Sequence, residues 1–91
     1  MNLEIEHLAE RGRFQAVVEG ERCVADYRLA DGVMAITHTE VAPHLEGHGI
    51  AGLLVQAALD HARAAGWKVR PLCSYARHYM QRHPESQSLL V

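Results

Sequence analysis

With 91 residues, a formal net charge of −2 and 48% hydrophobic content, the chain has the make-up of one small folded domain, residues 1–91, because two would each have too little apolar surface to bury. A charged fraction of 22%, 7 glycines and 3 prolines exclude a disordered chain, and the interspersed acids and bases lack the positive field of a non-specific nucleic-acid binder. No apolar run nears the roughly 20 residues that span a bilayer, and Met1-Asn-Leu-Glu-Ile-Glu6 is not a secretory segment, so a cytoplasmic protein without nucleic-acid or membrane partners is expected.

From Leu3 to about Val41 apolar residues recur at every second position, the pattern of strands with one buried face. Four strands fit. In the first, Leu3 and Ile5 alternate with Glu4 and Glu6; in the second, Phe14, Ala16 and Val18 alternate with Gln15 and Glu19. In the third, Cys23, Ala25, Tyr27 and Leu29 alternate with Arg22, Asp26 and Arg28, and in the fourth Val33, Ala35 and Thr37 alternate with Met34, Ile36 and His38. Arg11-Gly12, Glu19-Gly20-Glu21 and Ala30-Asp31-Gly32 break the pattern, and glycine tolerates the positive φ that hairpin turns require. The first half therefore reads as an antiparallel meander.

Past Ala42-Pro43 the period changes. Ile50, Leu53, Leu54, Ala57, Ala58, His61, Ala62 and Ala65 share one side of a 3.6-residue repeat, predicting an amphipathic helix with Gln56, Asp60 and Arg63 outside and Gly66 as its stop. A strand from Trp67 to Leu72 follows, and a right-handed crossover makes it parallel to the strand before the helix, in one βαβ unit. A second helix starts near Ser74 or Tyr75 and ends before Pro84, leaving Glu85 to Val91 as a tail. This order of elements is that of the α+β class.

The stretch Val41-Ala-Pro-His-Leu-Glu-Gly-His-Gly-Ile-Ala-Gly52 sets a glycine-rich loop between a strand and the long helix. Gly47, Gly49 and Gly52 permit close backbone approach, and the first helical amides lack intrahelical acceptors, so they suit an anion such as a pyrophosphate. The same glycines would also serve a tight turn and helix packing with no ligand present. There is no GxxxxGK[ST] loop, and the first βα turn does not carry a GxGxxG followed by a second parallel βαβ unit with an acidic ribose ligand, as a dinucleotide site requires. Cys73 stands at a strand end and a helix start, where the dipole favours a thiolate; a small packed side chain is the other reading. Among seven histidines, His44-x-x-x-His48 and His78-x-x-x-x-His83 offer two ligands each where zinc takes three or four, so no metal is expected. Cys23 and Cys73 lack CxxC spacing and read as reduced thiols.

Glu46-Gly-His-Gly49-Ile-Ala51 resembles the [Q/R]-x-x-G-x-[G/A] pyrophosphate loop of the GNAT superfamily of acetyl-coenzyme A dependent N-acetyltransferases, with Glu46 where glutamine or arginine is usual. His38-Thr-Glu-Val41 before it, and Pro71-Leu-Cys73-Ser-Tyr75 with Arg82-His-Pro84-Glu after it, are similar to the very short YjdJ-type subgroup, so the resemblance covers nearly the whole chain. It implies a minimal GNAT-like fold: a meander, one βαβ unit whose parallel strands splay apart, and a C-terminal helix, without the two helices that longer members insert after the first strand. It further implies acetyl-coenzyme A as co-substrate, met by the backbone of Glu40 and Val41 and by the amides of His48, Gly49, Ile50, Ala51 and Gly52.

The subgroup pattern implies Cys73 and His38 as the catalytic pair. In these roles His38 takes the proton of an incoming ammonium, and Cys73 either protonates the departing thiolate or accepts the acetyl group. A helix tyrosine serves in broader GNAT enzymes, which makes Tyr75 a further candidate beside the coenzyme; a half-buried aromatic with a wet hydroxyl is its plainer reading. Arg77, His78, Arg82 and His83 suit either the coenzyme 3′-phosphate or a solvated face. The implied acceptor is an amine, and the missing helical wall suits a protein-borne or bulky one, with monomer and homodimer both open. The alternative function is a non-catalytic module that binds acyl-coenzyme A or a protein partner.

Overall fold

The computed structural model describes residues 3–91. Strands Glu6–Leu8 (β1), Arg13–Val18 (β2), Glu21–Ala30 (β3) and Val33–Glu40 (β4) pair antiparallel in chain order. Helix Ile50–Ala65 (α1) then carries the chain over to Lys68–Pro71 (β5), which joins β4 in parallel, and helix Ser74–Arg82 (α2) follows. The two hairpin turns hold φ of 51° and 77° at Glu19-Gly20 and 52° and 75° at Asp31-Gly32. Two successive positive values define the turn whose twist matches that of the flanking strands.

One hydrophobic core gathers the inward side chains of β2 to β5 and of both helices. α1 brings Ile50, Leu54, Val55, Ala58, Leu59 and Ala62, α2 brings Ala76, Tyr79 and Met80, and the sheet brings Phe14, Ala16, Cys23, Ala25, Met34, Ile36 and Val69. Gly66 ends α1 in the left-handed conformation, its N–H returning to carbonyls of the last turn. The tail docks: Leu89 is buried, Leu90 bridges to Val69 in parallel, and Lys68 and Arg63 donate to the carbonyls of Ser88 and Glu85.

The first strand departs from the alternation. Leu3 and Ile5 pack against the core without a ladder, and pairing begins only at Glu6. The anchor is His7, whose ring stacks on Phe14 at 4.1 Å, meets the Tyr27 hydroxyl and abuts His61, which in turn lies against Trp67. Burial, and then the neighbouring His61, push the His7 imidazole below its ordinary value.

β4 departs more consequentially. Its register with β3 steps by one between Asp26↔His38 and Tyr27↔Ile36, so Thr37 is an extra residue, a bulge, and its hydroxyl donates to the Asp26 carbonyl at 3.3 Å. Before the bulge Met34 and Ile36 enter the core, and strict alternation would send His38 after them. Beyond it the faces exchange. Thr39, opposite the buried Ala25, turns to the helix side, and His38 turns outward with its cross-strand neighbour Asp26, which holds Arg13 in a two-pronged ion pair.

β1 and β2 are joined only by a 3-10 turn, Ala9–Arg11, and Gly12. Gly12 has φ of 64°, accepts the Tyr27 N–H at 2.8 Å, and leaves no room for a side chain: a Cβ there would lie 2.3 Å from the Tyr27 carbonyl oxygen. Gly20 has a similar φ of 77° but open space around it. Gly20→Ala is therefore expected to cost only the left-handed penalty of about 1–2 kcal/mol, and Gly12→Ala clearly more, as read from urea unfolding midpoints. Equal losses would mean that the crowding at Tyr27 is relieved without cost.

Candidate functional site

The β4–β5 ladder ends at Ile36↔Pro71. There the Ile36 carbonyl accepts two N–H groups, from Leu72 at 2.9 Å and Cys73 at 3.0 Å, and the chain leaves for α2 while β4 runs on to Glu40. The strands part, and a cleft of about 590 Å³ opens between them, lined by Thr39, Glu40, Val41, Leu45, Glu46, Gly47, Gly49, Ile50, Ala51 and Tyr75.

The start of α1 closes one end of this cleft. Gly49 caps the helix at φ 80° with no side-chain hydrogen bond, and the first intrahelical bond runs from the Leu53 N–H to the Gly49 carbonyl at 3.1 Å. The amides of Ile50, Ala51 and Gly52 are left without an intrahelical acceptor, at the positive end of the helix dipole. A side chain at Gly49 would enter open space in the cleft. Backbone donors, positive potential and room together make a seat for an anion.

Of the expected coenzyme contacts, Glu40, Val41, Gly49, Ile50, Ala51 and Tyr75 line the cleft. His48 lies in the exposed loop before the helix and outside the lining. Gly52 faces α2, where its missing Cβ would sit 3.3 Å from the Tyr75 hydroxyl and 3.4 Å from the Tyr79 ring. Leu45 was not singled out by the sequence, although it closes a Pro-initiated 3-10 turn that buries it beneath the loop. Thr39 was missed too; the bulge that turns it inward contains neither glycine nor proline to announce it.

Cys73 caps α2, its Sγ accepting the Ala76 N–H at 3.3 Å and lying 4.0 Å from the Thr39 hydroxyl. His38 is elsewhere. Its Nε2 stands 3.1 Å from Glu40 Oε1, with 56% of the His38 side chain exposed. The Thr37 bulge puts His38 and Cys73 on opposite faces of β4. Between the helices the Tyr79 hydroxyl donates to Gln56, whose amide donates to Asp60, and the His83 ring stacks on Tyr79 at 3.9 Å. Burial, with Tyr75, Asp60 and Glu85 adding to it, pushes the Tyr79 hydroxyl above its ordinary value, so it stays a donor. Arg77, His78 and Arg82 are exposed. Among the described residues no three His, Cys, Asp or Glu side chains converge, and no helix is long and apolar enough to cross a membrane.

The two thiols differ in access. Cys23 is 0% exposed inside the core, whereas Cys73 is only partly buried at the cleft side of β4. Iodoacetamide is therefore expected to label Cys73 in the folded protein and Cys23 only after unfolding, by intact mass and peptide mapping. Simultaneous labelling of both would contradict this packing.

Comparison with known proteins agrees with the geometry. The sequence profile of the GCN5-related N-acetyl-transferase family matches residues 13–89, from the first residue of β2 through the docked tail. The solution structure of a GCN5-like candidate N-acetyltransferase from Staphylococcus aureus superposes with a TM-score of 0.77 at 28% identity, over 99% of this chain and 89% of that one. No curated protein matches the chain. With the family profile spanning β2 to the tail and the parted strands meeting an uncapped helix start, the chain belongs to the GCN5-related N-acetyltransferase (GNAT) family.

Proposed function

We propose that the chain transfers the acetyl group of acetyl-coenzyme A to an amine, with the coenzyme held in the cleft between β4 and β5. The observation that carries this reading is the cleft's end wall: three helical amides without acceptors, facing open space beside Gly49. A pyrophosphate supplies the charge and the oxygens these amides lack, and the loop from His48 to Gly52 offers the donors. Along the side, the backbone of Glu40 and Val41 lies beyond the reach of β5 and is free to pair with the amides of an extended pantetheine. Glu46 opposes the ligand with a like charge at the cleft rim.

In the transfer the amine nitrogen attacks the thioester carbonyl, the C–N bond forms, the C–S bond breaks, and sulfur leaves with the electron pair. One proton must come off the ammonium and one must reach the sulfur. His38, exposed on the outer face and braced by Glu40, is suited to take the first. Cys73, on the helix side beside Thr39, is suited to give the second. Base and acid on opposite faces of one gap favour direct transfer over an acetyl-cysteine route, in which the amine would have to reach the helix side. Because β1 and β2 are linked by a single short turn, no inserted helix walls the outer face, which suits an amine carried on a protein or another bulky molecule.

Mixing the protein with acetyl-coenzyme A and a panel of amines, including lysine peptides, and following free thiol is the test. Amine-dependent release is expected, reduced roughly a hundredfold or more in both Cys73→Ala and His38→Gln, the range that positioned acids and bases contribute. Binding without release in the wild type would favour an acyl-coenzyme A binding module instead, and a wild-type rate in Cys73→Ala would reduce that thiol to packing.

Glu46 gives a second test. Removing one like charge about 4 Å from a phosphate in water is an effect of about 1 kcal/mol, so Glu46→Gln is expected to tighten coenzyme A binding about fivefold at low salt. The gain should shrink as salt screens it. Equal dissociation constants at low ionic strength would show that the carboxylate faces away.

A further inference from the structure

Gly52 sits in the first turn of α1 at ordinary helical φ, where alanine is the better helix former. Its backbone conformation does not require glycine. What the missing side chain supplies is space on the side facing α2: a Cβ would approach the Tyr75 hydroxyl to 3.3 Å and the Tyr79 ring to 3.4 Å. The first distance is tighter than ordinary packing and the second is at its limit, so the Tyr75 hydroxyl is the group that would have to yield.

Its neighbour cannot make room. Tyr79 is tied through its hydroxyl to Gln56 and sandwiched against His83 at 3.9 Å, with its ring buried in the core. Among the described residues Tyr75 has no such tether; its ring packs 6.4 Å from that of Tyr79, and it lines the cleft together with Thr39, Glu40 and Val41. We propose that Gly52 is a positioning residue that lets Tyr75 lie back against α1, keeping the cleft wide enough for the coenzyme. This rests on the coenzyme reading above and adds to it a determinant of cleft width that the loop motif does not contain.

Titration calorimetry with coenzyme A on the wild type, Gly52→Ala, Tyr75→Phe and the double variant tests it. Gly52→Ala is expected to weaken binding roughly fivefold when Tyr75 is present and less than about twofold in the Tyr75→Phe background, a coupling of the size contacting residues show. The melting temperature of Gly52→Ala should stay at or above that of the wild type, since the new side chain suits the helix. Loss of the same size in both backgrounds, or no loss in either, overturns the proposal. Should the wild type itself not bind coenzyme A, the coenzyme reading fails separately. Ligand-free carbon–proton spectra of the aromatic rings then decide the positioning claim: the Tyr75 ring resonances must move in Gly52→Ala while those of Tyr27 stay, and unmoved Tyr75 resonances refute it.

Discussion

The site depends on how β4 ends. Up to Ile36 the strand is paired on both sides and behaves as a core strand; from Thr37 on it has a bulge on the β3 side and no partner on the β5 side. The Ile36 carbonyl marks the boundary, since its two acceptor positions serve Leu72 and Cys73 and so close the ladder. A strand end so finished costs little, and the gap beyond it lies at the carboxyl ends of parallel strands, where open sheets take ligands.

The bulge also sorts the chemistry. It exchanges the two faces, leaving Thr39 with Cys73 on the helix side and His38 with Glu40 and Asp26 on the outer side. A regular strand would not separate them in this way, because residues two apart share a face and His38 would follow Ile36 to the helix side. Electrostatics at the third wall are more finely balanced. A helix terminus contributes about 0.3–1 kcal/mol to holding an anion, or about 2 in partly buried sites, which is comparable to the repulsion one carboxylate exerts through water. In the proposed coenzyme site, Glu46 would therefore offset the helix terminus by an amount that depends on its direction and on salt.

Much of this architecture was legible from residue patterns. The hairpins at Gly20 and Gly32 follow from turn chemistry, α1 from its 3.6-residue repeat between two left-handed glycines, and the parallel β5 from the crossover rule. The glycine loop marked the start of α1, whose first amides lack intrahelical acceptors. What the sequence could not reveal were features that come from tertiary fit. The Thr37 bulge uses a residue that fits a regular strand equally well, so strict alternation misplaces His38. β1 starts late because the stacking of His7 on Phe14 and its contact with Tyr27 outweigh the apolar pattern of Leu3 and Ile5. Gly52 looked like one more loop glycine, and only the packing of α2 across it gives it a different task.

The central claim is that a coenzyme pyrophosphate meets the uncapped start of α1 at the mouth of the parted strands. Amide chemical-shift mapping with ¹⁵N-labelled protein and coenzyme A tests it most directly. The account predicts that the largest changes fall on His48 to Gly52, with Glu40 and Val41 following, and that desulfo-coenzyme A, which keeps the pyrophosphate, reproduces them. Changes confined to the outer face around Arg13, Asp26 and Arg28, with the α1 amides unmoved at saturation, would contradict it.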